Sequence, residues 1–139
     1  MPISQNKNAE RVDFNKTYAA PQSEAELKVE QEVFGMCIGS NGYTTVEEAE
    51  ELIEHLSLRP GCTLLEIGSG RGWPGLYVTE KSGCSTVLTD IPVSVVNESK
   101  QNTNRRALTN WCRVAATDGT ALGFRTETFD AVVHSDVLC

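Results

Sequence analysis

Apolar residues change their period along this chain, and the changes mark its elements. Residues 1 to about 22 are polar, of mixed charge and without a sustained period, which predicts an arm with no core of its own. At Ser23 a capping-box spacing, Ser23-Glu24-Ala25-Glu26, opens a helical pattern. Its apolar face is Leu27, Val29, Val33 and Phe34, and it ends near Gly35. Gly35, Gly39 and Gly42 then fall close together and read as an irregular loop. A second capping box, Thr45-Val46-Glu47-Glu48, starts a helix with Val46, Ala49, Leu52, Ile53 and Leu56 on one face, and Pro60-Gly61 stops it.

From Gly61 onward, short apolar runs alternate with longer helical patterns. Strands are predicted at Thr63 to Ile67, Ser85 to Thr89, Arg113 to Thr117 and Phe129 to His134. Between them lie helices from Pro74 to Ser82, closed by Gly83, and from Pro92 to about Leu108, each with its proline in the first turn. Strand, helix, strand, helix, strand predicts a parallel sheet with right-handed crossovers. The chain divides into an arm (1–22), two helices with a glycine-rich loop (23–60) and an α/β unit (61–139).

A length of 139 residues suits one domain, and 40% hydrophobic residues supply a core. Twelve Lys and Arg against 19 Asp and Glu give a net charge of −7, the wrong sign for a surface that neutralises phosphates, so no nucleic-acid partner is expected. No apolar run approaches the roughly 20 residues of a membrane span, and MPISQNKNAE lacks a signal-peptide core. A cytoplasmic protein without a membrane partner is therefore expected. The five cysteines are scattered and never spaced Cys-x-x-Cys, which predicts neither a disulfide framework nor a metal site.

The chemistry concentrates in LLEIGSGRGWPG, residues 64–75, where a strand runs through glycines into a helix. Counted from Gly70, the pattern Gly70-x-Gly72-x-x-Gly75 fits a dinucleotide-binding turn. Counted from Glu66, the pattern Glu66-x-Gly68-x-Gly70-x-Gly72 is more specific. A carboxylate there suits a ligand carrying an ammonium and a sulfonium, and suits a pyrophosphate poorly because like charges would meet in a partly desolvated pocket.

On these residues the chain resembles the Rossmann-like (class I) S-adenosylmethionine-dependent methyltransferases, N-terminal part only, from about Gly42 onward. Asp90 ends the second strand eighteen residues after Gly72, Ala116-Thr117-Asp118-Gly119 ends the third, and Phe129-Asp130-Ala131-Val132-Val133 opens the fourth. The resemblance implies an α/β fold, a partial Rossmann-like three-layer sandwich with parallel strands in the order 3-2-1-4, flanking helices, and the remaining strands absent. It implies S-adenosylmethionine as cofactor. Gly68, Ser69, Gly70 and Gly72 would surround its methionyl part beside Glu66. Asp90 would accept from the ribose hydroxyls, Ile91 would lie against adenine, and Asp118 and Gly119 would sit by the adenine amine. Tyr43 would cover the site.

The implied crevice lies beyond the first and fourth strands, which brings His134 to the cofactor and makes His134 and Asp136 candidate bases for a methyl acceptor that must lose a proton. The implied reaction is methyl transfer to a small-molecule nucleophile. The alternatives are an NAD-dependent oxidoreductase and a non-catalytic cofactor-binding or assembly module. Because the family fold continues with further strands, a truncated or partial chain is expected, its fourth strand an open edge able to self-associate. Trp73 and Trp111 read as packing residues, Arg105-Arg106 as a solvated helix end and His55 as a helix-end residue.

Overall fold

A computed structural model describes residues 20–37, 39 and 44–135. The elements in chain order are α1 (Glu24–Phe34), α2 (Val46–His55), β1 (Thr63–Ile67), α3 (Gly75–Ser82), β2 (Ser85–Asp90), α4 (Val93–Arg105), β3 (Cys112–Ala116) and β4 (Ala131–His134). The four strands form one parallel sheet in the order β3-β2-β1-β4, the expected order. Both crossovers, β1 to β2 and β2 to β3, step the same way across the sheet, so right-handedness puts α3 and α4 on one face. That face carries the core: Leu64 packs with Tyr77 and Val78 of α3, while Leu88 packs with Leu76, Leu108 and Cys112. Helix α2 adds Ala49, fully buried, to the first of these clusters.

Both capping boxes form. Ser23 Oγ accepts from the Glu26 N–H and Thr45 Oγ1 from the Glu48 N–H, while each glutamate accepts from the N-cap backbone in return. The prolines stand one position earlier than expected, Pro74 and Pro92 being the N-cap residues themselves. Helix α4 stops at Arg105 because Ala107 turns to a φ of 55° and the Leu108 N–H reaches back to the Thr103 carbonyl. The Phe129-Asp130 signal has a physical basis here. Asp130 donates its backbone N–H to the Thr63 carbonyl and accepts the Thr63 N–H on Oδ2, which fixes the register of β4 against β1.

Three readings are corrected. The expected apolar face of α1 is not its inward face: Val29 and Val33 are more than half exposed, while Glu30 is buried and Phe34 packs against Trp73. Glu30 can be buried because Gln22 Nε2 and the Gly39 N–H donate to its two oxygens, and a hydrogen-bonded side chain outweighs the simple apolar period. Trp111 is half exposed, so it is not a core packing residue. Arg106 is not free in solvent either, since it pairs with Glu80 at 3.0 Å.

Candidate functional site

In a parallel sheet all strands end on one edge, and here that edge gathers the sequence-selected groups. Register places Ile67 beside both Thr89 and His134, and Asp90 beside Ala116. The loop 68–72 leaves β1 at the centre. On one side of it stand Asp90 and Ile91, then Thr117 to Gly119, and on the other stands His134. Gly119 comes so close to the end of β1 that a Cβ on it would lie 2.8 Å from Ile67 Cγ2. Ile91 is 59% exposed, an apolar surface at the rim. His134 is also exposed. Tyr43 and Asp136 lie outside the described residues.

The glycine loop is held by its own hydrogen bonds. The Ser69 N–H donates to the Thr89 carbonyl at 2.9 Å, the Gly70 N–H to Asp90 Oδ2 at 2.8 Å, and the Gly72 N–H to the Ser69 carbonyl at 2.9 Å. Gly72 sits at a φ of 111°, where a side chain is strained, and its Cβ would meet Leu76 Cδ1 at 2.5 Å. A dinucleotide loop needs amides aimed outward at a pyrophosphate. Here three are already engaged inward and Pro74 has none, which removes most of the basis for the NAD alternative.

Asp90 is both a brace and a candidate ligand group. Oδ2 accepts from Gly70 and Oδ1 accepts from the Ile91 N–H at 2.7 Å, so each oxygen keeps a lone pair for a vicinal diol. Asp118 is exposed, and Oδ1 accepts both the N–H and the hydroxyl of Thr120, which hold its carboxyl below the usual carboxylate range. Its other oxygen carries no such turn contact.

Glu66 and Ser69 are placed differently from the expectation of ligand contact. Glu66 is 1% exposed, and its carboxyl lies behind the loop against the first residue of α3: a Cβ on Gly75 would be 2.0 Å from Oε2. Neither oxygen reaches hydrogen-bond geometry among the described residues. Burial pushes its pKa up to about 8, opposed by the nearby Gly75 N–H and reinforced by the charge on Asp90. The Ser69 hydroxyl is likewise enclosed and has no hydrogen-bond partner among the described residues. The sequence shows that an acid stands at the end of β1, but strand alternation turns this side chain toward α3, whose partner there, Gly75, comes nine residues later.

Gly75, Arg71 and Trp73 carry further structure at this turn, and Trp73, 5% exposed, is the packing residue the sequence predicts. Gly75 lets α3 approach β1 and β2, as the third glycine of the dinucleotide pattern does. Arg71 and Trp73, alternating with the glycines, reach outward. Arg71 Nε pairs with Glu98 of α4 at 2.6 Å, and its Nη2 donates to the Ala20 carbonyl at 3.1 Å. Trp73 Nε1 donates to the Thr44 carbonyl at 2.8 Å. A lone arginine and tryptophan among glycines carry no local signal of these distant partners.

A family model described as a methyltransferase domain matches residues 65–139. Among curated proteins the chain is similar to phosphoethanolamine N-methyltransferase 1 of Arabidopsis thaliana, 27% identical over 110 residues, covering 78% of this chain and 21% of that protein. It therefore spans about a fifth of the curated relative it matches. Among solved structures it is similar to an S-adenosylmethionine-dependent methyltransferase from Thiobacillus denitrificans in complex with S-adenosyl-L-homocysteine. That match has a TM-score of 0.61 at 15% identity, covering 83% of this chain and 44% of that one. It is also similar to the [4+2]-cyclase SpnF, with a TM-score of 0.59 at 22% identity over 62% of this chain and 32% of that one. At these identities the structures show the fold alone, and one fold hosts different reactions.

Proposed function

This chain belongs to the methyltransferase-domain family, whose model spans more than half of it, and we propose that it forms the S-adenosylmethionine-binding part of an enzyme that methylates a small-molecule nucleophile. One observation carries the reading. The sheet's carboxyl edge presents a glycine loop with inward-turned amides, beside a carboxylate whose two oxygens each retain a lone pair, beside an exposed isoleucine. That is the acceptor and shape set for a ribose diol and a flat base, and it lacks the outward amides of a phosphate cradle. The residues present fit the cofactor: Asp90 would hold the ribose, Ile91 the adenine face, Asp118 and Gly119 the adenine edge, and Gly68, Gly70 and Gly72 would leave room for the methionyl part.

When bound, the cofactor supplies a methyl group activated on a sulfonium. The protein's share is then chiefly alignment, which contributes up to roughly 7–11 kcal/mol when two reacting groups are held in line. His134, exposed and in register with the end of β1, would take a proton from an acceptor that must lose one, with Asp136, two residues later in the sequence, as the other candidate base. The small-molecule acceptor is supported by the name of the curated relative and by the net charge of −7, which opposes a nucleic-acid substrate. Among the described residues no helix is long and apolar enough to cross a membrane.

Calorimetric titration with S-adenosylhomocysteine tests the proposal, and saturable binding is the expected result. A folded sample that gives no saturation overturns it. Asp90→Ala should weaken that binding by about 1.5–3 kcal/mol, roughly ten- to more than a hundredfold, through loss of charge-assisted bonds to the ligand. Asp90→Asn should fall between the two, because its amide oxygen still accepts the Gly70 N–H. Unchanged affinity in Asp90→Ala would remove this carboxylate from the site.

A further inference from the structure

Two side chains of the glycine loop face away from the proposed ligand and toward the N-terminal segment. Arg71 and Trp73 are interleaved with Gly70, Gly72 and Pro74 in the sequence. Arg71 lies within reach of three separate parts of the chain. Its guanidinium pairs with Glu98 at 2.6 Å, both side chains being mostly buried, and also donates to the Ala20 carbonyl at 3.1 Å. Its own carbonyl accepts from Asn102 Nδ2 at 2.9 Å, and Gly39 packs closely enough that a Cβ there would be 3.1 Å from Arg71 Cβ. Trp73, 5% exposed, donates to the Thr44 carbonyl and stacks at a tilt on Phe34, with ring centroids 6.2 Å apart.

The segment so fastened is also held by Phe34 and Met36 against the core and by Arg106 Nη2, which donates to the Cys37 carbonyl at 3.4 Å. Much of the apolar surface of α1 is exposed, and its buried group is Glu30, bonded to Gln22 and to the Gly39 N–H within the same segment. Part of its attachment to the α/β unit thus runs through Arg71 and Trp73, at the loop that, on the proposed function, encloses the cofactor. We propose that Arg71 and Trp73 are positioning residues that couple docking of residues 20–37 to the shape of the glycine loop, so that cofactor binding and ordering of these residues strengthen each other. This rests on the cofactor reading above. Linkage makes the effect reciprocal: whatever ligand binding adds to the fastening, the fastening returns to affinity.

Two variants test it in the 139-residue chain. Arg71→Met keeps the aliphatic stem and removes both polar contacts, and Trp73→Phe keeps a ring against Phe34 while deleting the indole N–H. Neither side chain is assigned a ligand contact. Each should weaken S-adenosylhomocysteine binding by roughly 5- to 150-fold, the usual range of such coupling. The decisive readout is amide hydrogen exchange. In the wild type, ligand should slow exchange across residues 22–37; in both variants that slowing should be lost while the amides of β1 and β2 stay protected. A structural role alone would lower protection everywhere and leave the ligand-dependent difference in place. If Arg71→Met does not fold, Trp73→Phe carries the test. Wild-type binding with no slowing at 22–37, or variants that bind as the wild type does, overturns the inference alone. Absence of wild-type binding overturns the cofactor reading instead.

Discussion

Raising the pH from 5 to 8 should cost the folded protein about 3 kcal/mol, and Glu66→Gln should remove most of that dependence. The cause is the carboxyl buried behind the glycine loop, with neither oxygen hydrogen-bonded among the described residues and a pKa raised from 4.5 to about 8. A buried acid with a raised pKa binds its proton more tightly folded than unfolded. Its contribution is therefore complete below about pH 4.5 and is lost as pH climbs through about 8, the reverse of the behaviour of a salt-bridged carboxylate. Against a typical total stability of about 5–15 kcal/mol this is a large share. Urea unfolding at pH 5, 6.5 and 8 measures it, and the difference between wild type and Glu66→Gln isolates this residue from the general repulsion of an acidic protein. At pH 5 the variant should be the less stable, because its amide brings two N–H donors into a site where the protonated carboxyl brings one. At pH 8 the gap should close or invert. Parallel curves would mean that Glu66 is ionised in the fold.

Glu66 also shows where sequence reading stops. The strand order, the two capping boxes and the grouping of Asp90, Ile91, Asp118, Gly119 and His134 on one sheet edge were all legible, because they follow from period, spacing and the polarity of a parallel sheet. Strand ends were legible to within two residues. What the sequence left open was the direction and partnership of single side chains. The motif places an acid at the end of β1, but whether that acid meets ligand or α3 depends on how near the helix comes, and that is set by Gly75 and Leu88. Glu30 was hidden for a related reason: a buried carboxylate answered by Gln22 and Gly39 breaks the apolar period that marks an inward face. Arg71 and Trp73 have partners 51 and 29 residues away in sequence, beyond the reach of any local pattern.

Gly75→Ala should destabilise the protein by about 3 kcal/mol, although Gly75 opens α3 and alanine is the better helix former by about 1 kcal/mol. The position is closed on two sides. An added Cβ would lie 2.0 Å from Glu66 Oε2 and 2.5 Å from Leu88 Cδ2, far inside contact distance, with both residues essentially fully buried. Overpacking of a filled core costs about 1–3 kcal/mol, and two simultaneous collisions with β1 and β2 put this case at the upper end. Gly123→Ala is the control: its Cβ would meet nothing within 4 Å, and the change should stay within about 0.5 kcal/mol. Glu66→Ala removes one of the two colliding groups, so the double variant Glu66→Ala/Gly75→Ala should be more stable than the sum of the single losses predicts, by at least about 1 kcal/mol. Thermal or urea unfolding of the four proteins closes the cycle. Additive losses would show that the two residues do not share one space, and would remove the steric basis for placing the Glu66 carboxyl beneath α3.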